Sequence, residues 1–380
     1  MEILAFLFWV LIILIFYPYV IYPGMLYLLG LVRNRKVAAG SGKPPVTIII
    51  PAFNEEAVIG KKLQNTLMLH YPRELLQIIV ISDASTDGTD EIAGSFAKEG
   101  VKLLRNETRK GKTYGLNCAC DLARGEVLVF TDADSMFHKE MLNLLVRNFA
   151  DKEIGLVTGS TRYLSKAGDG SMVATMGKYT LFERWIKEQE SRIGSCIGAD
   201  GAIFAMRREY YRPLDEKDIN DFVIPLNVVR QGKRVVLDKD VHCLEEHADD
   251  EGMEFSRQIR ITNRTIRALI SNRDMLNPFR HGFFAWMLWS HKMLRFLLPW
   301  FAILLYGVIV FLALAGSLFH QVLFFLIAAF VAFFLFIKPG GSAILALMRS
   351  FVQMNEACLL AWLKIFRKKT IVVWDKSNNP

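Results

Sequence analysis

Residues 296–337 contain no Asp, Glu, Lys or Arg, and neither do residues 3–32. No other feature of the chain narrows its fold as much. About 20 apolar residues suffice to carry a helix across a bilayer. The first stretch is long enough for one tilted span. The second is about twice that length, with residues 316–321 as a natural turn. It reads as a hairpin of two helices. A cleavable signal peptide is the other reading of the N-terminus. No basic segment precedes the apolar run, the run is too long, and basic residues follow it instead.

Basic residues flank these stretches. Arg33, Arg35 and Lys36 follow the first. Arg295 precedes the second and Lys338 follows it, and Lys364, Arg367, Lys368 and Lys369 lie near the end. By the positive-inside rule all of them are cytoplasmic. Residues 37–295 then face the cytoplasm, and the expected setting is a bacterial plasma membrane crossed more than once. The formal charge of +8 reads as membrane contact. No nucleic-acid motif accompanies it, so no nucleic-acid partner is expected. Five cysteines with no CxxC pair fit free thiols on a reducing side.

Residues 40–45 (GSGKPP) form a linker by composition. After it, short apolar runs alternate with amphipathic ones. Strands are predicted over 46–50, 77–81, 101–104 and 126–130, and helices over 54–69, 86–100 and 112–123. Such alternation argues for an α/β domain with a mostly parallel sheet covered on both faces. Ligands of such sheets sit beyond the carboxyl ends of the strands. Here those ends read PAFNEE, SDASTDGT, NETRKGK and TDADS. Three carry acids and one carries a basic glycine turn.

Each segment has its own chemistry. Asp132 and Asp134 directly follow a buried strand, where a pair of hard oxygen ligands suits a divalent cation with positions left for phosphate oxygens and water. Helix capping is the structural alternative for such a pair. Asp83 can accept a hydrogen bond from a base edge, while Asp87 is placed to cap the next helix. The turn at 109–112 (RKGK) suits a diphosphate through backbone N–H groups and point charges. Together they describe a pocket for a nucleoside diphosphate with a metal on its phosphates. Neither GxxxxGK[ST] nor GxGxxG is present, so the pocket does not read as one for ATP hydrolysis or NAD.

In order and spacing, IIIPAFNEE, ISDASTDGT, RKGKTYGLN and FTDADS resemble the family 2 glycosyltransferases with the GT-A fold. Later segments resemble the membrane-bound branch, the poly-N-acetylglucosamine, hyaluronan and cellulose synthase-like enzymes. There GSCIGADGAIFAMRR (194–208) matches the donor–acceptor segment, and INDFVIPLNVVRQGKRVV (219–236) matches the segment carrying the catalytic carboxylate. The resemblance covers roughly residues 45–300. It implies Asp221 as the catalytic aspartate, with Asn220 where the family has a second acid. It implies that Ala52, Asn54, Glu55 and Asp83 hold the base, and that Arg109, Lys112 and Asp132 lie near the diphosphate. Asp134, with Asp132, would hold Mn2+ or Mg2+. Residues 257–261 (RQIRI) stand where the family carries Gln-x-x-Arg-Trp. Arg260 keeps the arginine, Arg257 replaces the glutamine and Ile261 the tryptophan.

The expected organisation is a membrane helix (1–36), a GT-A domain (45–253), amphipathic interface helices (254–295), a membrane hairpin (296–338), an interfacial or spanning helix (342–366) and a cytoplasmic tail (367–380). Arg257, Arg260, Arg264 and Arg267 share one helix face, and lipid headgroups are the alternative partner of the last two. The expected reaction is a single inverting displacement from a UDP-sugar, UDP-GlcNAc or UDP-Glc, to a membrane-associated glycan or glycolipid. A polyprenyl-phosphate glycosyltransferase and an inactive scaffold of a polysaccharide synthase are the alternatives. Membrane lipids are expected partners, and self-association or an export partner would supply helices that three spans lack. Because Ile261 cannot stack on a sugar face as tryptophan does, transfer of one or a few sugars is expected. Glu245, Glu246, His247, Asp249, Asp250 and Glu251 form a second acidic cluster, read as a solvated loop. His291 is read as packing or headgroup contact.

Overall fold

A computed structural model describes residues 1–164, 171–246, 251–336 and 343–367. Two helices, α1 (Glu2–Phe16) and α2 (Tyr22–Val32), lead through the linker to β1 (Val46–Ala52). Then follow α3 (Ile59–Leu67), β2 (Leu76–Ser82), α4 (Thr89–Ser95), β3 (Val101–Arg105), α5 (Lys112–Leu122) and β4 (Val127–Thr131). The second half of the sheet is built from β5 (Met136–Phe137), β6 (Ile154–Leu164), β7 (Ile203–Arg207) and β8 (Arg234–Glu246). Among these lie α6 (Met141–Val146), α7 (Ser171–Ile193) and α8 (Asn220–Arg230). The chain continues into α9 (Glu251–Ser271), α10 (Pro278–Leu288), α11 (Leu294–Leu314), α12 (Leu318–Phe336) and α13 (Ala343–Phe366).

The strands form one sheet in the order β3-β2-β1-β4-β7-β6-β8-β5. β1 pairs in parallel with β2 and β4, and β2 with β3. β7 runs antiparallel to both β4 and β6. The central strands are rich in Ile and Val and are buried on both faces, as strands between two layers must be. Their residues alternate between two cores. Ile49, Ile79, Ile81, Leu128 and Phe130 face one layer, and Ile48, Ile50, Ile78, Val80 and Val129 the other. The first core also takes in Tyr22 and Leu26 of α2 and Met287 and Leu288 of α10, so the apolar segments pack directly on the sheet's own core.

The stretches Glu2–Val32 and Pro278–Leu314 are each long and apolar enough to cross a membrane. Phe8 and Leu11 of α1 pack on Val308, Ile309 and Leu312 of α11. Ile3, Phe6, Ile303, Phe311 and Phe325 on these helices and α12 remain exposed.

The expected helix over 54–69 is shorter than its pattern suggested. Asn54 has φ of 53°, which no helix accommodates, and the helix begins at Ile59. Likewise α4 ends at Ser95 and tightens into a 3-10 turn that closes at Gly100, whose φ is 82°.

Candidate functional site

Parallel pairing aligns the carboxyl ends of β1, β2, β3 and β4, and their four loops meet there. Ala52, at the end of β1, accepts the Asp83 N–H at 3.0 Å. Asn54 donates its N–H to Ser85 Oγ at 3.2 Å, and its side chain accepts from Thr86 N at 2.9 Å. Glu55 N donates to Thr89 Oγ1 at 2.7 Å. Ala84 has φ of 59°, a left-handed conformation that costs a residue with Cβ about 1–2 kcal/mol. Strain thus sits beside Asp83.

Asp83 is buried, and its carboxylate organises the basic turn. Oδ1 accepts from Asn106 Nδ2 at 3.0 Å and Lys110 N at 2.9 Å, and Oδ2 accepts from Gly111 N at 2.9 Å. Gly111 has φ of 87°, so only glycine fits that turn without strain. The Arg109 guanidinium lies 3.5 Å from the centre of the Phe53 ring, with its Nε 3.9 Å from Asp83. A carboxylate offers about four acceptor positions, and the turn uses three of Asp83's.

The aspartates after β4 differ in their partners. Asp132 pairs with Lys112 Nζ at 2.6 Å. Asp134 is exposed at the cleft, and no Lys or Arg among the described residues forms an ion pair with it. Nearby protein thins the water around its carboxyl, and this desolvation, then repulsion from Asp132, raises its pKa. A carboxylate held beside another and left open to the cleft suits a hard divalent cation. No three His, Cys, Asp or Glu side chains gather as a closed cage among the described residues, so most positions on such an ion would fall to phosphate and water.

Beneath this pair lies a lysine that the sequence reading did not single out. Lys62 of α3 is fully buried. Its Nζ donates to Thr131 Oγ1 at 2.8 Å and to the Ser135 carbonyl, so it grips the chain on both sides of Asp132-Ala133-Asp134. Burial pushes its pKa down to about 8, although Cys243, Asp132 and Asp134 oppose this. Ser135 Oγ in turn donates to Glu245 Oε1 at 2.6 Å. Glu245 is buried, and burial and then Asp134 push its pKa up to about 7. The acidic cluster expected as a solvated loop is therefore corrected at this residue: β8 carries Glu245 inward beneath the cleft. Residues 247–250, with His247, Asp249 and Asp250, lie outside the described residues.

Asp221 stands in the first turn of α8. Burial raises its pKa; Lys112 and Lys187 pull it back, while Asp132 and Asp200 push it further up. Pro225, four residues on, has no N–H to give the Asp221 carbonyl. That carbonyl instead accepts the Ala199 N–H at 2.7 Å, which ties the 194–201 segment to α8. In the same segment a Cβ on Gly201 would meet Asp221 Oδ2 at 3.0 Å, so glycine leaves the carboxylate its room. Asn220 is buried beside Asp221.

From α9, Arg260 and Arg264 approach Asp221. Burial, then the neighbouring arginines Arg264 and Arg257, lower the Arg260 pKa to about 10, against the pull of Asp132 and Asp221. Arg264 donates to Thr113 Oγ1 at 3.1 Å and to the Asp218 carbonyl. Arg257 lies near enough to Glu254 for a 3.6 Å ion pair and feels Asp132. Arg267 turns away to Asn263 Oδ1 at 3.3 Å. Lys112, Asp132, Asp221, Arg257 and Arg260 thus share one electrostatic neighbourhood, with Asp134 at its edge. Ala52, Asn54, Glu55, Asp83 and Arg109 gather in the adjoining loops.

Residues 47–214 match the model of the glycosyl transferase family 2. Over 155 residues the chain is 32% identical to a beta-monoglucosyldiacylglycerol synthase of Nostoc sp., covering 40% of this chain and 33% of the relative. Over 165 residues it is 26% identical to the poly-beta-1,6-N-acetyl-D-glucosamine synthase of Staphylococcus epidermidis, covering 43% and 39%. The matched stretches thus span about a third of the length of the curated relatives. The structure of the mannosyltransferase PcManGT from Pyrobaculum calidifontis, in complex with GDP-Man and Mn2+, is similar with a TM-score of 0.76 at 24% identity. It covers 96% of this chain and 99% of that one, a likeness of fold.

Proposed function

We propose, from the match of residues 47–214 to the model of the glycosyl transferase family 2, that the chain is a membrane-associated, inverting hexosyltransferase. It moves a sugar from a nucleoside-diphosphate sugar to a membrane-bound glycan or glycolipid. The observation that carries this reading is the convergence of Lys112, Asp132, Arg260 and the half-buried Asp221 around one cleft.

Asp221 is the general base. Its raised pKa gives it more proton affinity than an ordinary aspartate, which suits a group that must take the acceptor hydroxyl's proton. The hydroxyl oxygen then bonds to the anomeric carbon as the bond to the diphosphate breaks, with inversion. Asp134, with Asp132, would hold a divalent ion that neutralises charge on the departing diphosphate. Lys112 and Arg260 add fixed positive charge there, and Arg109 flanks the nucleotide. A UDP-sugar is the proposed donor from the resemblance of the strand-end motifs, with Asp83 at the base end of the cleft.

Membrane attachment is supported by the large apolar residues that α1, α11 and α12 leave exposed, a surface that water disfavours. It is supported also by the flanking basic residues, which favour a cytoplasmic catalytic cleft. α13 lies along α9, where Asn263 Nδ2 donates to the Ala361 carbonyl at 3.0 Å, and this supports an interfacial position for it. With Ile261 on α9, no aromatic face at that position holds a growing polymer, so one chain adds one or a few sugars. The test is a donor screen with the full chain in nanodiscs, with and without Mn2+, reading nucleoside diphosphate release and product mass. Mn2+-dependent UDP release with a short glycan product is expected. No release from any donor would overturn the reading, and release of GDP alone would move the donor.

A further inference from the structure

Glu190 of α7 is fully buried and sits where three parts of the molecule meet. Its Oε1 accepts from the Tyr22 hydroxyl of α2 at 2.5 Å and lies 2.7 Å from His291 Nδ1. Its Oε2 accepts the Ile197 N–H at 2.9 Å. His291 is itself fully buried, with Nε2 3.0 Å from Glu183, which also pairs with Arg295 at the start of α11. Thus His291 is no headgroup contact; its ring is clamped between two carboxyl groups of α7.

The same helix holds the 194–201 segment a second time. Lys187 Nζ donates to the Ala199 carbonyl at 3.2 Å. One turn of chain is thereby gripped at an N–H by Glu190 and at a carbonyl by Lys187. The other side of that turn donates Ala199 N–H to the Asp221 carbonyl that Pro225 leaves free. A path of hydrogen bonds, joined by the covalent backbone of residues 197–199, therefore runs from Tyr22 and His291 through Glu190 to the carbonyl of Asp221.

We propose that Glu190 is a positioning residue that couples the seating of the apolar segments to the placement of Asp221. α2 and the His291 segment both join apolar stretches that are long enough to cross a membrane. When they are seated against α7, Glu190 fixes Ile197, and with it the carbonyl contact that sets α8. A helix displaced from that seat would release the 197–199 turn and let Asp221 drift. Misplacement of a reacting group by about 1 Å can cost about a hundredfold in rate. The nucleotide loops, which hang from β1 to β4, lie outside this path and should be indifferent to it. The proposal rests on the assignment of Asp221 as the base.

The test uses the full chain in nanodiscs with the donor that the screen selects, and Mn2+-dependent binding of the matching nucleoside diphosphate. Glu190→Ala is expected to lower kcat about tenfold or more, with nucleotide binding and donor KM changed less than about twofold. Glu190→Gln should recover most of the loss, because its carbonyl can take the Ile197 N–H while its amide faces Tyr22 and His291. Tyr22→Phe, which removes one donor and keeps the ring that fills the core, should lower kcat about two- to fivefold in the same pattern. Wild-type kcat in Glu190→Ala would overturn the proposal. So would loss of nucleotide binding in step with kcat, which is what general destabilisation produces. If Glu190→Ala does not fold, an unchanged kcat in Tyr22→Phe overturns it alone. Failure of the base assignment is separate: it shows as an active Asp221→Asn, whatever Glu190 does.

Discussion

Replacing Lys62 by Met tests how the aspartate pair is held. In the folded chain the Lys62 pKa falls from 10.5 to about 8, with burial as the main cause. Keeping the ammonium charged at neutral pH therefore costs the fold about 3 kcal/mol. The unfolded chain holds this proton more tightly than the folded one, so stability rises with pH between about 8 and 10.5. Lys62→Met removes that dependence. The stability of the wild type relative to Lys62→Met should grow by about 2 kcal/mol between pH 7.5 and pH 10. At pH 7.5 the two should lie close together. Met relieves the charge burial but leaves Thr131 Oγ1 and the Ser135 carbonyl unpaired, at about 1–3 kcal/mol each. The assay is denaturant unfolding of the full chain in detergent at both pH values, followed by tryptophan fluorescence. In parallel, half-saturating Mn2+ for nucleoside diphosphate release should rise about tenfold, as it does when a group supporting metal ligands is lost. A stability difference that does not change with pH would refute the buried-ammonium argument. An unchanged Mn2+ requirement would refute Lys62 as the support of Asp132 and Asp134.

Asp134→Asn should abolish turnover and weaken Mn2+-dependent UDP binding at least tenfold in calorimetric titration, since it removes a charged ligand. Near-normal Mn2+ activity would contradict that role. Gly201→Ala places a Cβ 3.0 Å from Asp221 Oδ2. It should lower kcat about tenfold while leaving UDP affinity within about twofold, checked by the same titration and steady-state kinetics. The acid limb of kcat/KM should lie above the ordinary aspartate range. Burial raises the Asp221 pKa, and the base must be ionised, so activity falls as pH drops through that raised value. A limb at the ordinary value would contradict the assignment.

Much of this was legible in the chain because its signals are local. Runs such as VTIII and VLVF mark buried parallel strands, and polar residues at their ends mark the cleft. Asn54 reads as a helix start but takes a left-handed turn, so the helix after β1 begins five residues later than its pattern suggests. Lys62 carries a signal in the sequence itself. Ile59, Lys62, Leu63 and Thr66 fall on one helical face and all are buried. A lysine on an otherwise core stripe points to a buried partner. Glu245 reads as part of a charge run, but β8 alternates inward and outward and places it inside. The Tyr22–Glu190–His291 meeting had no local trace. Its partners lie 168 and 101 residues apart along the chain, and only the packing of α2 and the His291 segment on α7 brings them together.

The central claim is that Asp221 takes the acceptor's proton in a site whose nucleotide end is built independently. One comparison reaches it most directly: wild type against Asp221→Asn in the same nanodiscs, with Mn2+-dependent UDP binding and UDP release measured on each. Binding within about twofold and release reduced about a hundredfold or more are expected, the scale of general-base assistance. Release near the wild-type rate would contradict it. So would binding lost in proportion to release, which would make Asp221 a donor-site residue instead of the base.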